Sequence, residues 1–274
     1  MTAIAAAQDQ ISDPLPIVSA SAHVVVRDLS KSFSSGRNSR LTALEGVGLE
    51  VQEGEFTAIL GPSGCGKSTL LRIIAGLEPQ TSGEATVAGA DPRELARRHE
   101  LGMAFQDHAL LPWRTVADNI ALPFQIAGRR PEEARINELL ELIGLTEFAR
   151  HRPRQLSGGM RQRVSIARAL VLHPSVLLLD EPFGALDAVT RRRLNIELER
   201  IWLAERITTI MVTHSVDEAV FLADNVVVMS STPGRIIMSK RIPFERPRSH
   251  ELLSTPEFHA LADELTLALD DGAA

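Results

Sequence analysis

A glycine-rich run follows the short apolar stretch Phe56–Leu60, and its residue types are suited to holding phosphate. The run consists of Gly61, Pro62, Ser63, Gly64, Cys65, Gly66, Lys67, Ser68 and Thr69. Its first eight residues fit G-x-x-x-x-G-K-[ST], the pattern of a phosphate-binding loop between a strand and a helix, and the helix is predicted here from about Gly66 to Ala75. In such a loop backbone N–H groups surround a phosphate, Lys67 contacts the terminal phosphates and Ser68 ligates Mg²⁺. The sequence therefore predicts a nucleoside triphosphate site.

Two carboxylates follow a second apolar stretch, Val176–Leu179, which predicts a buried strand. Ligands of open α/β sheets lie at the carboxyl ends of the strands, where Asp180 and Glu181 would stand. Asp180 could hold the shell of Mg²⁺, and Glu181 could act as general base toward an attacking water. The alternative for an isolated Asp-Glu pair is a helix cap on a surface loop. The phosphate loop on the same chain favours the metal and base roles.

The segment Leu156-Ser157-Gly158-Gly159-Met160 precedes a helix predicted to end near residue 172. A Ser-Gly-Gly turn at a helix N-terminus is a second anion-binding arrangement on this chain. One phosphate tail does not need two such arrangements from one subunit. The sequence therefore predicts that two copies of the chain act together.

These motifs, in this order, resemble those of the ABC ATPase family over roughly residues 23–245. The family signature LSGGQ is present here as LSGGM. The resemblance implies that Phe33 stacks on adenine, that Gln106 senses Mg²⁺ and the nucleophilic water, and that His214 is the switch histidine near the γ-phosphate. It also places Ala185-Leu186-Asp187 in the loop that crosses the dimer. Considered singly, each side chain has an alternative. Phe33 could be a core residue and Gln106 a strand-end cap. Asp187 could be a helix N-cap and His214 a structural histidine.

The resemblance implies the following sites. The catalytic residues are Glu181, His214, Gln106 and Lys67. One copy contributes Phe33 and the glycine-rich run that ends at Thr69 to the ATP site. The second copy contributes the signature residues Ser157, Gly158 and Gly159, and Asp187 also belongs to the site. The Mg²⁺ ligands are Ser68, Gln106 and Asp180. Met160, which replaces the usual glutamine, would lie toward the ribose and affect nucleotide affinity more than chemistry.

Cys65 lies at the predicted helix N-terminus beside Lys67, and this setting favours a thiolate. We hypothesise that alkylation of Cys65 blocks activity and that ATP protects it. The alternative is an inert small residue within the loop.

Strands that alternate with helices predict an α/β fold. We expect a P-loop NTPase core with a largely parallel sheet, an antiparallel β subdomain and an inserted α-helical subdomain at about 107–172. The expected divisions are a mobile lead-in (1–22), the ATPase domain (23–245) and a short helical tail (246–274) with a helix near Pro256–Leu269. Pro131 is expected in the first turn of a helix that Gly144 closes, and Ser215 with Glu218 predicts a capping box.

Composition narrows the function classes. The formal net charge is −6, which gives no reason to expect nucleic acid as a partner, and Arg191–Arg193 is predicted to be a solvated helix turn. No apolar stretch approaches the roughly 20 residues that span a bilayer, so membrane contact would go through another protein. The single cysteine excludes an internal disulfide, in keeping with a reducing cytosol.

Further segments resemble the nitrate, sulfonate and taurine importer branch of the family. They are Gln106–Trp113, LSGGMRQRV, VTHSVDEAVFLAD and Pro233–Ile236. This resemblance implies a separate integral membrane permease, an indirect role for a substrate-binding protein, a location on the cytoplasmic face of the inner membrane, and a small oxyanion as cargo. Trp113 would anchor the permease or pack inside the helical block. The alternatives are an exporter or lipid-extraction ATPase and a soluble ABC ATPase without a transport role.

Overall fold

Short apolar runs separated by glycine turns form the strands of the computed structural model, which describes residues 22–35, 39–184 and 186–273. Except for Ala22, the predicted lead-in lies outside the described residues, as does Ala185. The strands are β1 (Ala22–Ser35), β2 (Ser39–Gln52), β3 (Phe56–Leu60), β4 (Ser82–Val87), β5 (Leu101–Ala104), β6 (Val176–Asp180), β7 (Thr208–Thr213), β8 (Asn225–Met229) and β9 (Ile236–Arg241).

Helices alternate with these strands. They are α1 (Lys67–Ile74), α2 (Pro92–Arg97), α3 (Val116–Ile126), α4 (Glu133–Leu142), α5 (Gly158–Leu170), α6 (Ala188–Glu205), α7 (Val216–Leu222) and α8 (Pro256–Ala273). Short 3₁₀ helices lie at Thr146–Phe148, Pro153–Gln155 and His250–Ser254. Among the described residues, none of these helices has the length and apolar character needed to cross a membrane.

The larger sheet has six strands in the order β5-β6-β7-β3-β8-β9, and all neighbouring pairs are parallel except β8 with β9. The register pairs Leu60 with Thr213 and Asp180 with Val212. The segments that follow β3, β6 and β7 therefore leave the sheet at the same edge. This edge is where ligands of open parallel sheets lie.

A second sheet, in the order β2-β1-β4, is antiparallel throughout. The two sheets with their helices confirm the predicted fold class. The division into subdomains and a C-terminal tail stays a prediction.

Both faces of the parallel sheet are buried, as expected when helices or a second sheet cover each face. Successive residues of a strand point to opposite faces, so Leu177 and Leu179 pack in one apolar cluster with the helices α3–α8. Val176 and Leu178 pack in a second cluster with α1 and the antiparallel sheet. The strand ends that carry the site are therefore packed against an apolar cluster on each face of the sheet.

Three local predictions need correction. Helix α4 begins at Glu133, so Pro131 precedes the helix rather than occupying its first turn, although Gly144 does follow its end with φ +65°. Helix α8 continues to Ala273, one turn beyond the expected end at Leu269, and this last turn is held to the β8–β9 connection because the carbonyl of Gly272 accepts from the N–H of Ser231 at 2.8 Å. The Ser215–Glu218 capping box is only half formed: Ser215 Oγ accepts from the N–H of Glu218 at 3.4 Å, but the carboxylate of Glu218 turns inward.

Candidate active site

The phosphate loop joins β3 to α1 and is closed around its own lysine. Nζ of Lys67 donates to the carbonyl oxygens of Gly61 at 2.8 Å and Pro62 at 2.9 Å, and the side chain is only 4% exposed. Gly66 has φ +104°, and a Cβ there would lie 2.7 Å from the carbonyl oxygen of Ala43. Only glycine fits this position. The loop therefore holds a buried ammonium group at the start of a helix, which suits a phosphate tail.

Ser68 and Asp180 meet across the strand ends. The hydroxyl of Ser68 donates to Oδ1 of Asp180 at 2.7 Å, and Asp180 is 6% exposed. A hydroxyl and a carboxylate are hard oxygen donors of the kind that Mg²⁺ prefers, with substrate phosphates and water completing its shell. The donor set therefore fits the predicted Mg²⁺ site.

Glu181 and His214 are in direct contact. Nδ1 of His214 lies 3.0 Å from Oε2 of Glu181, and the Glu181 backbone adopts φ +44° while its N–H donates to the carbonyl of Val212 at 3.0 Å. A Cβ on Gly184 would lie 3.2 Å from Oε2 of Glu181 and 3.5 Å from Nε2 of Gln106. The ends of the Glu181 and Gln106 side chains therefore both lie close to Gly184.

A cavity of about 260 Å³ extends from the loop to the antiparallel sheet. Its lining comprises Phe33, Leu41, Ala43, Gly64, Gly66, Lys67, Ser68, Thr69 and Glu181. Phe33 on β1 is 37% exposed and Leu41 on β2 is 55% exposed, so two apolar side chains face the open end. Nζ of Lys31, also on β1, lies 4.7 Å from the centre of the Phe33 ring. A phosphate end and an apolar, aromatic end are what a nucleotide requires.

The signature residues form a second group with α6. Ser157 caps α5, its Oγ accepting from the N–H of Met160 at 3.2 Å. A Cβ on Gly158 would lie 3.2 Å from the Leu186 side chain, and one on Gly159 would lie 3.2 Å from Leu194. These residues are not among those that line the nucleotide cavity.

Asp187 caps α6, with Oδ1 accepting from the N–H groups of Val189 at 3.1 Å and Thr190 at 3.0 Å. Hydrogen bonds from Thr190 lower the pKa of this carboxyl. The helix-cap alternative is therefore realised at this position, and a role of the exposed loop in a dimer contact stays a prediction.

Cys65 contradicts the thiolate hypothesis. Its side chain is 1% exposed, and burial raises the pKa of the thiol, an effect that outweighs the opposing charge of Lys67. The neighbouring lysine was visible in the sequence, whereas the burial of the sulfur beside Gly61 was not. The sulfur packs as a small apolar group.

A bracing loop, Ser231–Gly234, was missed as part of the site. Thr232 Oγ1 donates to the carbonyl of Gly64 at 3.0 Å, and a Cβ on Gly234 would lie 2.1 Å from the carbonyl oxygen of Cys65. A Pro-Gly pair favours a turn, but no local pattern indicates which distant segment a turn contacts. The phosphate loop is thus supported from the β8–β9 connection.

Comparisons with known proteins agree with this geometry. Residues 44–184 match the ABC transporter family. The nitrate import ATP-binding protein NrtD of Synechococcus elongatus is 46% identical over 242 residues, covering 86% of this chain and 87% of NrtD. The aliphatic sulfonates import ATP-binding protein SsuB of Bacillus cereus is 41% identical over 230 residues, covering 83% of this chain and 90% of SsuB.

Among solved structures, the dimeric structure of MJ0796, a bacterial ABC transporter cassette, is similar with a TM-score of 0.68 and 33% identity, covering 81% of this chain and 100% of MJ0796. Another structure of MJ0796 is a post-hydrolysis state bound to ADP and Pi, with a TM-score of 0.69. By its sequence, its fold and the arrangement of its phosphate loop, the chain belongs to the ABC transporter ATP-binding family and is an ATP hydrolase of that family.

Proposed function

We propose that the chain energises an importer for a small oxyanion, working as an ATP-bound pair of identical copies on the cytoplasmic face of the inner membrane beneath a separate permease. The observation that supports pairing of two copies is the separation of the two anion-binding groups within one chain. The phosphate loop lines the nucleotide cavity, whereas Ser157 and Gly159 lie outside that lining. A second copy in a two-fold arrangement would supply them, since an isologous contact places each group opposite the other.

The roles of individual residues follow from the contacts. With its hydrogen on Nδ1, His214 would donate a hydrogen bond to Oε2 of Glu181 and so orient the carboxylate. Glu181 would accept the proton of the attacking water, which the Gln106 amide helps to place. Mg²⁺, held by Ser68, Asp180 and Gln106, would neutralise charge on the phosphates. Lys67 would add a fixed positive charge from within the loop.

The permease proposal is supported by an apolar groove of about 410 Å³ between the parallel sheet and helices α3 and α5. Leu77, Phe105 and Ile126 line the groove and are 59%, 36% and 68% exposed. Arg168 fixes its wall by donating to the carbonyls of His108 and Ala109. The groove can take one amphipathic helix of the permease, laid in by its apolar face. Trp113 is 67% exposed, so it is not packed inside the helical block, and it lies outside the groove lining.

The oxyanion and the inward direction are supported by the relatives, since NrtD and SsuB are named for import of nitrate and aliphatic sulfonates. The separate substrate-binding protein is part of the same proposal. This subunit's site handles ATP, so the cargo identity must be measured on the assembled transporter.

The proposed function is tested by cross-linking in native membranes. Cys65 is buried, so a cysteine introduced at Ile126 can be labelled selectively with a photoactivatable maleimide, in a tagged Glu181→Gln protein with MgATP present. Leu267→Cys on α8 is the matched control, because Leu267 is 65% exposed and Ile126 is 68% exposed. We expect a cross-link from position 126, and not from position 267, to a multi-span protein without an ATPase domain.

Reconstituted wild-type complex should then show ATPase activity that nitrate or a sulfonate increases in the presence of the binding protein. Cross-links only to soluble proteins, or to a membrane protein with its own fused ATPase, would overturn the importer proposal. The ATPase assignment would remain.

A further inference from the structure

Glu218 is a buried carboxylate to which the roles assigned above give no part in the site, since its side chain does not complete the predicted capping box. It lies on α7 and is 2% exposed. Oε2 accepts a hydrogen bond from the hydroxyl of Thr213 at 2.6 Å, and Oε1 lies 3.3 Å from Nε of Arg191 on α6. One carboxylate thus connects the residue before His214 with the first turns of α6.

The Thr213 side of this connection orients the turn that carries His214. The Thr213 hydroxyl also accepts from the N–H of Ser215 at 3.0 Å, so the residues on both sides of His214 are held to one oxygen atom. Ser215 in turn caps α7 at the N–H of Glu218. The position of the imidazole relative to Glu181 therefore depends on this small network.

The Arg191 side of the connection reaches the loop before α6. A terminal nitrogen of Arg191 donates to the carbonyl of Leu186 at 3.1 Å. The run Arg191–Arg193 was predicted to be a solvated turn. Arg192 and Arg193 are exposed, but Arg191 turns inward, with a side chain only 26% exposed. Leu186 also contacts the signature at Gly158.

We propose that Glu218 is a positioning residue that couples the loop Leu186–Asp187 to His214, so that the histidine is correctly placed only when that loop is. The inference rests on the proposed roles of Glu181 and His214. In the proposed pair the loop faces the second copy, so hydrolysis would depend on the partner being docked. The chain Leu186–Arg191–Glu218–Thr213 is the physical path.

The network is poorly explained by stability alone. Burial raises the pKa of Glu218, against the opposing effects of the Thr213 hydrogen bond and Arg191. A buried ion pair often contributes no more to stability than apolar residues of the same volume. An uncharged pair would serve a purely structural role equally well.

Three variants test the proposal: Glu218→Gln, Arg191→Met and the two combined. Each single variant leaves one charged group without its partner and should lower Tm, whereas the double variant removes both charges and should recover Tm. We expect the double variant to keep a KM for ATP within about twofold of wild type while kcat stays at least about tenfold lower, since a misplacement of about 1 Å can cost about 100-fold in rate.

Recovery of kcat together with Tm in the double variant would show a structural role and overturn the proposal. A fall in kcat matched by a rise in KM would do the same, because it would indicate lost nucleotide binding. Glu181→Gln, measured in parallel, separates this failure from that of the base assignment. If Glu181→Gln turns over at the wild-type rate, the base assignment is wrong and the coupling proposal falls with it.

Discussion

The proposed stacking role of Phe33 depends on the residues that hold its ring at the cavity as well as on the ring itself. Among the described residues, it is the one aromatic side chain that lines the nucleotide cavity. Lys31 lies against the ring and also pairs with Glu78 at 2.5 Å and with the carbonyl of Pro79 at 2.6 Å. The lysine is thereby fixed, and its cation–π contact with the ring helps to fix Phe33. The ring is thereby held partly exposed, as the proposed stacking on a base requires.

We expect Phe33→Leu to weaken MgATP binding about tenfold, because stacking of a base on an aromatic side chain contributes about 1–3 kcal/mol. Isothermal titration calorimetry on the Glu181→Gln background measures the affinity without turnover. Leu267→Ala, at an exposed apolar residue of α8, is the control and should leave the affinity unchanged. Equal affinities for Phe33→Leu and the control would contradict the adenine-stacking role.

Cys65 leads to a prediction opposite to the one its sequence position favours. Because burial raises the pKa of the thiol and leaves it 1% exposed, the native protein should react with iodoacetamide at pH 8 at least about tenfold more slowly than the urea-unfolded chain. MgATP should not change the native rate. Mass spectrometry of timed samples gives both rates, and rapid native labelling that MgATP prevents would restore the reactive-thiol hypothesis.

At the scale of elements, contact between β5 and α5 sets where the signature helix lies relative to the sheet. A Cβ on Gly102 of β5 would lie 2.4 Å from the carbonyl oxygen of Ala169 on α5. Glycine is required here because the two backbones approach closely, not because of a left-handed conformation. Gln106 follows the same strand, so the contact also bears on the site.

Gly102→Ala should therefore lower the free energy of unfolding by about 1–3 kcal/mol, the usual effect of overpacking a tight contact. Gly48→Ala is a matched control, because the nearest atom to its Cβ would be at 4.0 Å and the substitution also lies in a strand. Urea unfolding of both variants gives the comparison. A Gly102→Ala protein as stable as Gly48→Ala would mean that α5 shifts freely on the sheet.

At the scale of the whole molecule, the proposed pairing of two copies is testable without a permease. In sedimentation velocity, Glu181→Gln should be monomeric without nucleotide and dimeric with ATP, because ATP would remain in place to join the phosphate loop of one copy to the signature of the other.

Adding Ser157→Asp to Glu181→Gln should prevent this dimer. Aspartate is as good a helix N-cap as serine, so α5 should keep its stability, while the new carboxylate would repel the γ-phosphate. Equal Tm values with loss of the dimer would place Ser157 at the interface. A dimer that persists with Ser157→Asp would contradict the proposed arrangement.

The sequence alone determined the chemistry that depends on local spacing. The phosphate loop needs consecutive residues between a strand and a helix, so Gly61–Ser68 was recognisable, and the apolar strand before Asp180 was recognisable by its length. The fold class followed from the alternation of strands and helices. These features are encoded over a few neighbouring residues.

Only the tertiary structure decided what depends on distant segments meeting. Three features depend on residues far apart in the chain. They are the burial of Cys65, the ion pair of Arg191 with Glu218 and the hydrogen bond from Thr232 to Gly64. The sequence showed one charged or polar residue at a time, whereas the pKa of a thiol and the partner of a carboxylate depend on solvent exclusion and contact in the folded core. Neither solvent exclusion nor contact in the core can be inferred from the position of a residue along the chain.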